Sequence, residues 1–263
     1  MIIDGRFQPF SLQEKVVIVT GGGAGIGRVY CERLAEVGAS VVAADIDFVS
    51  AQACAAAIEA TGGKGIAVNC DVADADSVKR MVEKCLERFG RVDGLVNNAA
   101  LMSSLPRGDW HEISVSDWDR VMAVNTRGLF LCCREVWPHM KRQGGGKIVN
   151  ISSNRVFDGT PNRLHYSTSK AAVIGFTRSL AREIGDDNIC VNAIAPGFTA
   201  SDSQIASSDE KYIRKMAAIN DRKAIKRTQT PDDLVGAVLF LLSNASNYLS
   251  GQTINVDGGF VMH

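Results

Sequence analysis

The sequence predicts an α/β protein in which helices cover both faces of a parallel sheet. Short apolar runs rich in β-branched residues alternate with helix-length patterns along the whole chain of 263 residues. Glycines stand where helical patterns end, as at Gly38 and Gly90. The alternation continues without a Pro-, Gly- or Ser-rich linker, so we expect one doubly wound domain over residues 1–263.

Seven segments are predicted to form the strands of this sheet. They are residues 16–19, 40–44, 66–69, 92–97, 147–151, 189–194 and 253–256. Because helix-length segments separate most of them, right-handed crossovers should bring them into one seven-stranded parallel sheet.

Six helices are predicted between these strands. They cover residues 26–37, 49–60, 74–89, 116–143, 164–185 and 231–242. Ser116 is predicted to cap the long fourth helix, and glycines from Gly144 end it. The polar, Ser-rich segment 201–221 precedes the last helix and is expected to form a mobile lid.

Charge and composition exclude several classes of protein. The 29 Lys and Arg residues balance 29 Asp and Glu residues, so the formal net charge is zero. Nothing in this balance favours nucleic acid or an anionic membrane as a partner. With 46% hydrophobic and 22% charged residues, the chain has the composition of a globular protein rather than a disordered one.

Cysteine and histidine patterns predict neither disulfides nor a metal site. The seven cysteines are an odd number without a CxxC pair, and the four histidines show no metal-ligand spacing. The first residues lack a signal-peptide pattern, and no stretch of about 18 apolar residues occurs. We therefore expect no disulfide framework, no metal, no membrane span and a cytoplasmic location.

The first strand leads into a glycine-rich turn, Thr20-Gly-Gly-Gly-Ala-Gly-Ile-Gly27. Glycines at a strand-to-helix turn let backbone N–H groups approach a phosphate, and the helix N-terminus attracts its charge. The spacing fits GxxxGxG through Gly21, Gly25 and Gly27, whereas GxGxxG fails at its third glycine. The turn is predicted to bind a dinucleotide pyrophosphate, with a merely flexible turn as the alternative.

Asp45 ends the second strand, near the offset of about 20 residues at which an acid hydrogen-bonds the adenosine ribose. A carboxylate there repels a 2′-phosphate, and neither Ile46 nor Asp47 supplies a cation to neutralise that phosphate. The sequence therefore predicts NAD rather than NADP. Arg28 is the one nearby cation that would weaken this preference.

A second group of polar residues suits acid–base chemistry. Tyr166 and Lys170 are four residues apart on one predicted helix and so share a face. A phenol has an ordinary pKa near ~10, which a close ammonium and an oxidised nicotinamide together would lower. Ser153 follows the fifth strand and can reach the same place, and Asn125 is a polar residue inside the long helix. The alternative is an exposed helix face.

Together these motifs resemble those of the short-chain dehydrogenases/reductases over essentially the whole chain. The matching segments are Thr20 to Gly27, Asp71-Val72, Asn97-Asn-Ala-Ala100, Asn125, Ser152-Ser153, Tyr166-Ser-Thr-Ser-Lys170, Val191-Asn-Ala193, Pro196-Gly197 and Gly251 to Gly259. The resemblance implies a Rossmann-like domain and an oxidoreductase.

The resemblance assigns roles to four catalytic residues. Tyr166 would be the acid or base, and Ser153 would polarise the substrate carbonyl or alcohol. Lys170 would lower the pKa of the phenol and hold the nicotinamide ribose, and Asn125 would anchor a water for a proton relay.

The resemblance also implies a set of residues around the cofactor, NAD. They are Gly21, Gly25, Ile26, Gly27, Asp45, Asp71, Val72, Asn98, Ala99, Tyr166, Lys170, Pro196, Gly197, Thr199 and Ser201. For Asp71 a helix cap is the alternative to the adenine edge. Ala100 stands where the family usually has glycine, and Ser201 stands where it usually has threonine but keeps a hydroxyl for the carboxamide.

Some segments resemble bacterial NAD-dependent alcohol dehydrogenases that act on aromatic or cyclic substrates. The residues expected to contact substrate are Asn154, Phe157, Arg163 and Phe198. Since the expected lining is mostly apolar or aromatic, the predicted substrate is a small cyclic or aryl secondary alcohol or its ketone. Arg155 and Arg163 either bind a substrate carboxylate or, as we favour, play a structural role.

Two other functions stay as alternatives. A 3-oxoacyl-thioester reductase is similar in sequence, but its usual preference for NADPH and its basic patch conflict with Asp45 and the zero net charge. A non-catalytic dinucleotide-binding scaffold would have no reason to keep all four catalytic residues. In the family, helices like the long helix and the Tyr166 helix form four-helix contacts, which implies a homotetramer.

Overall fold

The computed structural model describes residues 2–3, 6–7, 10–102, 105, 108–200 and 210–262. A short antiparallel pair, β1 (Ile2–Ile3) and β2 (Arg6–Phe7), precedes the main sheet. The sequence pattern did not predict it, because two-residue strands have no periodicity to detect.

The main sheet has seven strands, all paired in parallel, as predicted. They are β3 (Val16–Thr20), β4 (Ser40–Asp45), β5 (Lys64–Asn69), β6 (Gly94–Asn97), β7 (Gly146–Ile151), β8 (Ile189–Pro196) and β9 (Thr253–Val256). Their spatial order is β5-β4-β3-β6-β7-β8-β9. The chain therefore reverses its direction of travel across the sheet between β3 and β6, which opens a crevice at their carboxyl ends.

Helices connect these strands. They are α1 (Gly25–Glu36), α2 (Phe48–Ala60), α3 (Ala75–Phe89), α4 (Val115–Met122), α5 (Leu129–Arg142), α6 (Arg155–Asp158), α7 (Leu164–Glu183), α8 (Glu210–Asp221) and α9 (Asp232–Leu242). The short helix α6 is absent from the sequence prediction. Helix α8 lies within the segment 201–221 expected to form a lid, whose residues 201–209 lie outside the described part of the chain.

The predicted long helix 116–143 corresponds to a single unbroken run of helical residues, but not all of it is α-helical. A π-helical segment, Ala123–Gly128, separates α4 from α5. The prediction that Ser116 caps it was wrong: Ser114 is the N-cap, and its Oγ accepts a hydrogen bond of 3.0 Å from the Asp117 N–H. The serine two residues earlier has the extended backbone that a cap requires.

The core lies on both faces of the sheet. Because successive side chains of a strand point to opposite faces, Ile18 belongs to the cluster covered by α3, α5 and α7. Its neighbours Val17 and Val19 belong to the cluster covered by α1, α2 and α9. This two-sided burial confirms the doubly wound arrangement.

All seven cysteines are free thiols, six of them buried. Within the described ranges, no helix combines the length and the apolar character needed to cross a membrane.

Asp93 fastens β6 to β3. Its carboxylate accepts hydrogen bonds from the Val16 N–H at 3.0 Å, from Lys15 Nζ at 3.2 Å and from Arg91 Nε at 2.7 Å. Although burial raises the pKa of this carboxyl, the hydrogen bonds from Arg91 and Val16 bring the pKa below its ordinary value. The ionised form therefore stabilises the fold.

Asp93→Asn should lower the free energy of unfolding by about 1–3 kcal/mol near pH ~7, because hydrogen bonds to a charged group are lost. A carboxyl with a depressed native pKa stabilises above the unfolded pKa of about 3.9, and this stabilisation is lost as pH falls through the native pKa. Urea unfolding at about pH 7 and about pH 3 should show the gap between the two proteins narrowing at acid pH. An equal gap at both pH values would contradict the assignment.

Candidate active site

The predicted site residues gather at the carboxyl edge of the sheet. Thr20 ends β3, Asn97 ends β6 and Ile151 ends β7. Tyr166 and Lys170 lie on α7, which packs against this end of β7 through the contacts described below. Because these strands are adjacent in the sheet, the glycine turn and the acid–base residues belong to one continuous site.

The glycine turn requires its glycines for steric reasons. Gly21 and Gly25 have φ values of 64° and 54°, a left-handed conformation that favours glycine. A Cβ atom on Gly27 would lie 1.9 Å from the carbonyl oxygen of Gly21. Ala24, at the N-cap of α1, makes no side-chain hydrogen bond to the helix, so the first-turn N–H groups of α1 are open to a phosphate. The turn fits a dinucleotide pyrophosphate.

Thr20 and Asn98 hold this turn in place. The Thr20 hydroxyl donates to the Val96 carbonyl at 3.3 Å and accepts from the N–H groups of Asn98 and Ala99, each at 3.1 Å. The Asn98 amide donates back to the carbonyls of Thr20 and Gly21 at 3.0 and 3.1 Å. The end of β6 is thereby fixed to the turn. Sequence reasoning did not single out Thr20.

Asp45 lies beside the turn at the end of β4. Its Oδ2 accepts from the Gly23 N–H at 2.9 Å and its Oδ1 accepts from the Asp47 N–H at 3.0 Å. Backbone donors thus orient the carboxylate. Arg28, the nearby cation named from the sequence, is paired with Glu32 at 2.8 Å.

Asp71 and Val72 follow β5. The Asp71 Oδ1 accepts from the Ala73 N–H at 2.9 Å, whereas the N-cap of α3 is Asp74. The alternative that Asp71 caps this helix is therefore not what the structure has. Val72 is buried against Gly128, where a Cβ would lie 2.8 Å from a Val72 methyl carbon.

The Tyr166 and Ser153 side chains are both buried, and the Ser153 hydroxyl lies close enough to the phenol to affect its pKa. Burial raises the pKa of the Tyr166 phenol, while the Ser153 hydrogen bond and the charges of Arg155 and Arg163 act in the opposite direction. The net pKa of the phenol lies above its ordinary value. The protein's own groups therefore keep Tyr166 protonated at neutral pH.

Lys170 is 3% exposed, and burial lowers the pKa of its ammonium to about 8. Its Nζ donates to the Ile151 carbonyl at 2.7 Å and lies 5.8 Å from the centre of the Tyr166 ring. The Ser152 hydroxyl donates to the Lys170 carbonyl at 2.8 Å. These two hydrogen bonds join the end of β7 to α7, and they place Ser153 next to Tyr166.

Asn125 lies in the π-helical segment and is buried. Its Oδ1 accepts from the Leu101 N–H at 2.8 Å, and its Nδ2 donates to the Ser169 hydroxyl at 3.0 Å. That hydroxyl donates to the Tyr166 carbonyl at 2.7 Å. The Asn125 side chain is therefore joined through Ser169 to the backbone of Tyr166.

Pro196 ends β8, and the loop after it carries the predicted residues Gly197 and Thr199. The Gly197 N–H donates to the Val256 carbonyl at 3.0 Å, and a Cβ on Gly197 would lie 2.7 Å from the Cβ of Asp257. The Thr199 hydroxyl donates to the Gly197 carbonyl at 3.3 Å. Ser201 lies outside the described residues.

The four predicted substrate residues fall into two kinds: two aromatic residues that are half-buried, and two polar residues whose side chains hydrogen-bond other parts of the protein. Phe157 and Phe198 are half-buried. The Asn154 amide donates to Asp257 Oδ2 at 3.2 Å, so this amide is directed to the turn after β9. Arg163 Nη2 donates to the Leu105 carbonyl at 3.3 Å.

Thr20, Ser152, Ser169 and Asp257 lie within the motifs quoted from the sequence, but sequence reasoning assigned none of them a role. Each makes a hydrogen bond to a group far along the chain, and a local pattern does not identify such a partner. Across the described ranges, no three His, Cys, Asp or Glu side chains form a group that could hold a metal ion.

Comparison with known proteins gives consistent matches. A family model described as enoyl-(acyl carrier protein) reductase matches residues 21–261. The short-chain reductase protein NovJ of Streptomyces niveus is 39% identical over 255 residues, covering 94% of each chain. A 3-oxoacyl-[acyl-carrier-protein] reductase of Synechocystis sp. is 37% identical over 259 residues, covering 96% of this chain and 99% of that protein.

Solved structures also match this chain over nearly its whole length. Levodione reductase superposes with a TM-score of 0.87 at 32% identity, over 94% of this chain and 97% of that one. A putative NAD(P) dependent gluconate 5-dehydrogenase from Beutenbergia cavernae, with NADP bound at low occupancy, gives 0.86 at 36% identity, over 96% and 99% of the two chains.

Gly27→Ala should abolish dinucleotide binding and lower the melting temperature, because the added methyl group collides with the backbone of Gly21. Gly185→Ala is the control, since a Cβ there meets nothing within 4 Å and Gly185 is not among the positive-φ glycines. Its stability should change by no more than about 0.5 kcal/mol. Binding titrations and thermal unfolding of both variants test this; retained binding in Gly27→Ala would refute the steric argument.

Proposed function

Because the chain belongs to the short-chain dehydrogenase/reductase family, we propose that this oxidoreductase transfers a hydride between NAD and a secondary alcohol or ketone. The observation that carries the proposal is the common burial of Ser153, Tyr166 and Lys170, with Lys170 Nζ 5.8 Å from the centre of the Tyr166 ring. This set of groups lies at the same sheet edge as the glycine turn. The proposed hydride acceptor, the dinucleotide, and the proposed proton acceptor, Tyr166, would therefore lie close to each other.

Each catalytic residue has a proposed task. When bound, the nicotinamide dinucleotide accepts or supplies the hydride. The Ser153 hydroxyl orients the substrate oxygen, and Tyr166 removes the alcohol proton or returns it to the ketone. Lys170 holds its proton at Nζ and stabilises the phenolate. Asn125 is proposed to anchor the water of a proton relay, with Ser169 fixing its amide.

The cofactor is proposed to lie along the residues predicted from the sequence. The first-turn N–H groups of α1 after Gly25, including those of Ile26 and Gly27, would hold the pyrophosphate. Asp45 would hold the adenosine ribose, and the adenine and nicotinamide ends would contact Asp71, Val72, Asn98, Ala99, Pro196, Gly197, Thr199 and Ser201.

NAD is proposed over NADP because of the charges around Asp45. A 2′-phosphate would come close to this carboxylate, and Arg28 is already paired with Glu32. One structural relative was solved with NADP, so the preference needs direct measurement.

An uncharged substrate is proposed because the described cations around the site already have partners. Arg155 donates to the carbonyls of Thr160 and Pro161, both at 2.8 Å. Arg163 is bonded to Leu105, and Arg222 is paired with Asp158 at 2.7 Å. A cyclic or aryl secondary alcohol, half-enclosed by Phe157 and Phe198, suits this lining.

A 3-oxoacyl-thioester reductase is the second candidate. The matching family model and several relatives carry acyl-carrier-protein reductase names. Turnover of 3-oxoacyl thioesters with NADPH, measured beside aryl alcohols with NAD at 340 nm, distinguishes the two functions.

A homotetramer is proposed for the assembly. Phe130 and Trp137 on α5 and Leu164 on α7 are large apolar side chains that remain exposed. They suit contact with further copies of the chain.

Tyr166→Phe should reduce alcohol oxidation by about 10²–10⁴-fold and leave dinucleotide affinity nearly unchanged. In the wild type the rate should rise with pH, because oxidation needs the phenolate and burial raises the pKa of this phenol. Tyr30→Phe is the control, since the Tyr30 hydroxyl is buried without a partner among the described residues. Near wild-type turnover in Tyr166→Phe would overturn the proposal.

Asp45→Ser should lower the NAD-to-NADP ratio of kcat/KM at least ~10-fold, which corresponds to about 1.4 kcal/mol. Asp47→Ser removes the same charge two residues away and keeps a residue suited to cap α2. Its ratio should match the wild type. Equal ratios in both variants would show that Asp45 does not set the preference.

A further inference from the structure

Arg222 joins three segments of the chain. It follows the last residue of α8, and its Nη2 lies 2.7 Å from Asp158 Oδ1. Its guanidinium carbon lies 4.1 Å from the centre of the Phe260 ring. One side chain thus connects α8, the short helix α6 and the turn that follows β9.

Both partners of Arg222 are tied to the segment that carries the catalytic serine. Asp158 ends α6, which begins two residues after Ser153. The Phe260 N–H donates to Asp257 Oδ1 at 3.1 Å, and Asp257 Oδ2 accepts from the Asn154 amide at 3.2 Å. Arg222 therefore reaches the residues after Ser153 by two independent routes.

A second contact fixes the same face of α8. Lys215 Nζ lies 4.9 Å from the centre of the Phe198 ring, in the loop after β8. Lys215 and Arg222 are seven residues apart, which is about two helical turns. Met216 and Lys223, which directly follow Lys215 and Arg222, are only 5% and 4% exposed, so the packed side of α8 lies next to these two cations.

Arginine is the residue type that this place needs. Its guanidinium hydrogen-bonds a carboxylate along its edge and stacks on an aromatic ring with its face. Hydrogen bonds from Thr160 and Arg222 bring the pKa of Asp158 below its ordinary value, although burial acts against this. The carboxylate is charged at neutral pH and available to the guanidinium.

We propose that Arg222 is a positioning residue that seats α8 against the two segments flanking the substrate site and so sets substrate affinity. The substrate part rests on the proposed function. The seating of α8 does not, because it is built from contacts within the protein.

The experiment compares Arg222→Gln, Asp158→Asn and the double variant with the wild type. Each single change should raise KM for the alcohol about 10-fold, with kcat and the dinucleotide Kd within about 3-fold. The double variant should be no worse than the worse single one, as expected for two residues that act through one contact. Arg222→Lys keeps the charge but not the planar face, so its KM should lie between those of the wild type and Arg222→Gln.

Arg214→Gln is the matched control. It removes the same charge from α8 itself, where Arg214 is paired with the exposed Glu210 at 2.8 Å. Its KM should equal that of the wild type. A KM that rises equally in Arg214→Gln, or an unchanged KM in Arg222→Gln, would overturn the proposal.

Hydrogen exchange without substrate separates this proposal from the proposed function. Amides of α8 should exchange faster in Arg222→Gln and Asp158→Asn than in the wild type, with α7 unchanged. If the wild type oxidises no alcohol, the proposed function fails, and exchange alone then decides. Faster exchange in α8 supports the seating role, and unchanged exchange overturns it.

Discussion

The candidate active site depends on holding the buried ammonium of Lys170 against the end of β7. Removing an ammonium from water is unfavourable unless polar groups replace that water, and the Ile151 carbonyl does so at 2.7 Å. A second hydrogen bond joins the same two elements: the Ser152 hydroxyl after β7 donates to the Lys170 carbonyl on α7. Since Ser153 follows Ser152 directly, the spacing between this serine, just after β7, and Tyr166 on α7 is fixed. An ammonium has three donors, so Lys170 keeps hydrogen-bonding capacity for the proposed ribose contact.

Local patterns in the sequence are sufficient to predict the sheet and the glycine turn and to select the candidate acid–base residues. Strand and helix periods repeat over a few residues, and the chemistry of a phenol beside an amine restricts which residue types can serve. The single-turn helix α6 has no period to detect, and the polar composition before α8 predicts a loop. The hydroxyl of Thr20 bonds the backbone of Asn98, 78 positions away. No local pattern reveals such pairings, because the fold alone decides which hydroxyl meets which backbone group.

Zero net charge conceals a definite arrangement of charges around the site. Asp45 is oriented by backbone N–H groups rather than by a cation, so its negative charge is directed at whatever occupies the adjacent turn. On the substrate side the arginines Arg155, Arg163 and Arg222 are engaged by carbonyls or by Asp158. Positive charge there serves to hold loops together. In the proposed reaction, the polar groups offered to the substrate would accordingly be those of Ser153 and Tyr166.

The π-helical segment Ala123–Gly128 makes the position of Asn125 depend on the number of residues in this helix. A π-turn accommodates one more residue than an α-turn. Deleting a single residue within the segment would leave an unbroken α-helix with every backbone hydrogen bond intact. Its two halves would then differ in phase by about 100°, and Asn125 would no longer face both Leu101 and Ser169. A chain one residue shorter here would thus keep the helix and lose the position of Asn125.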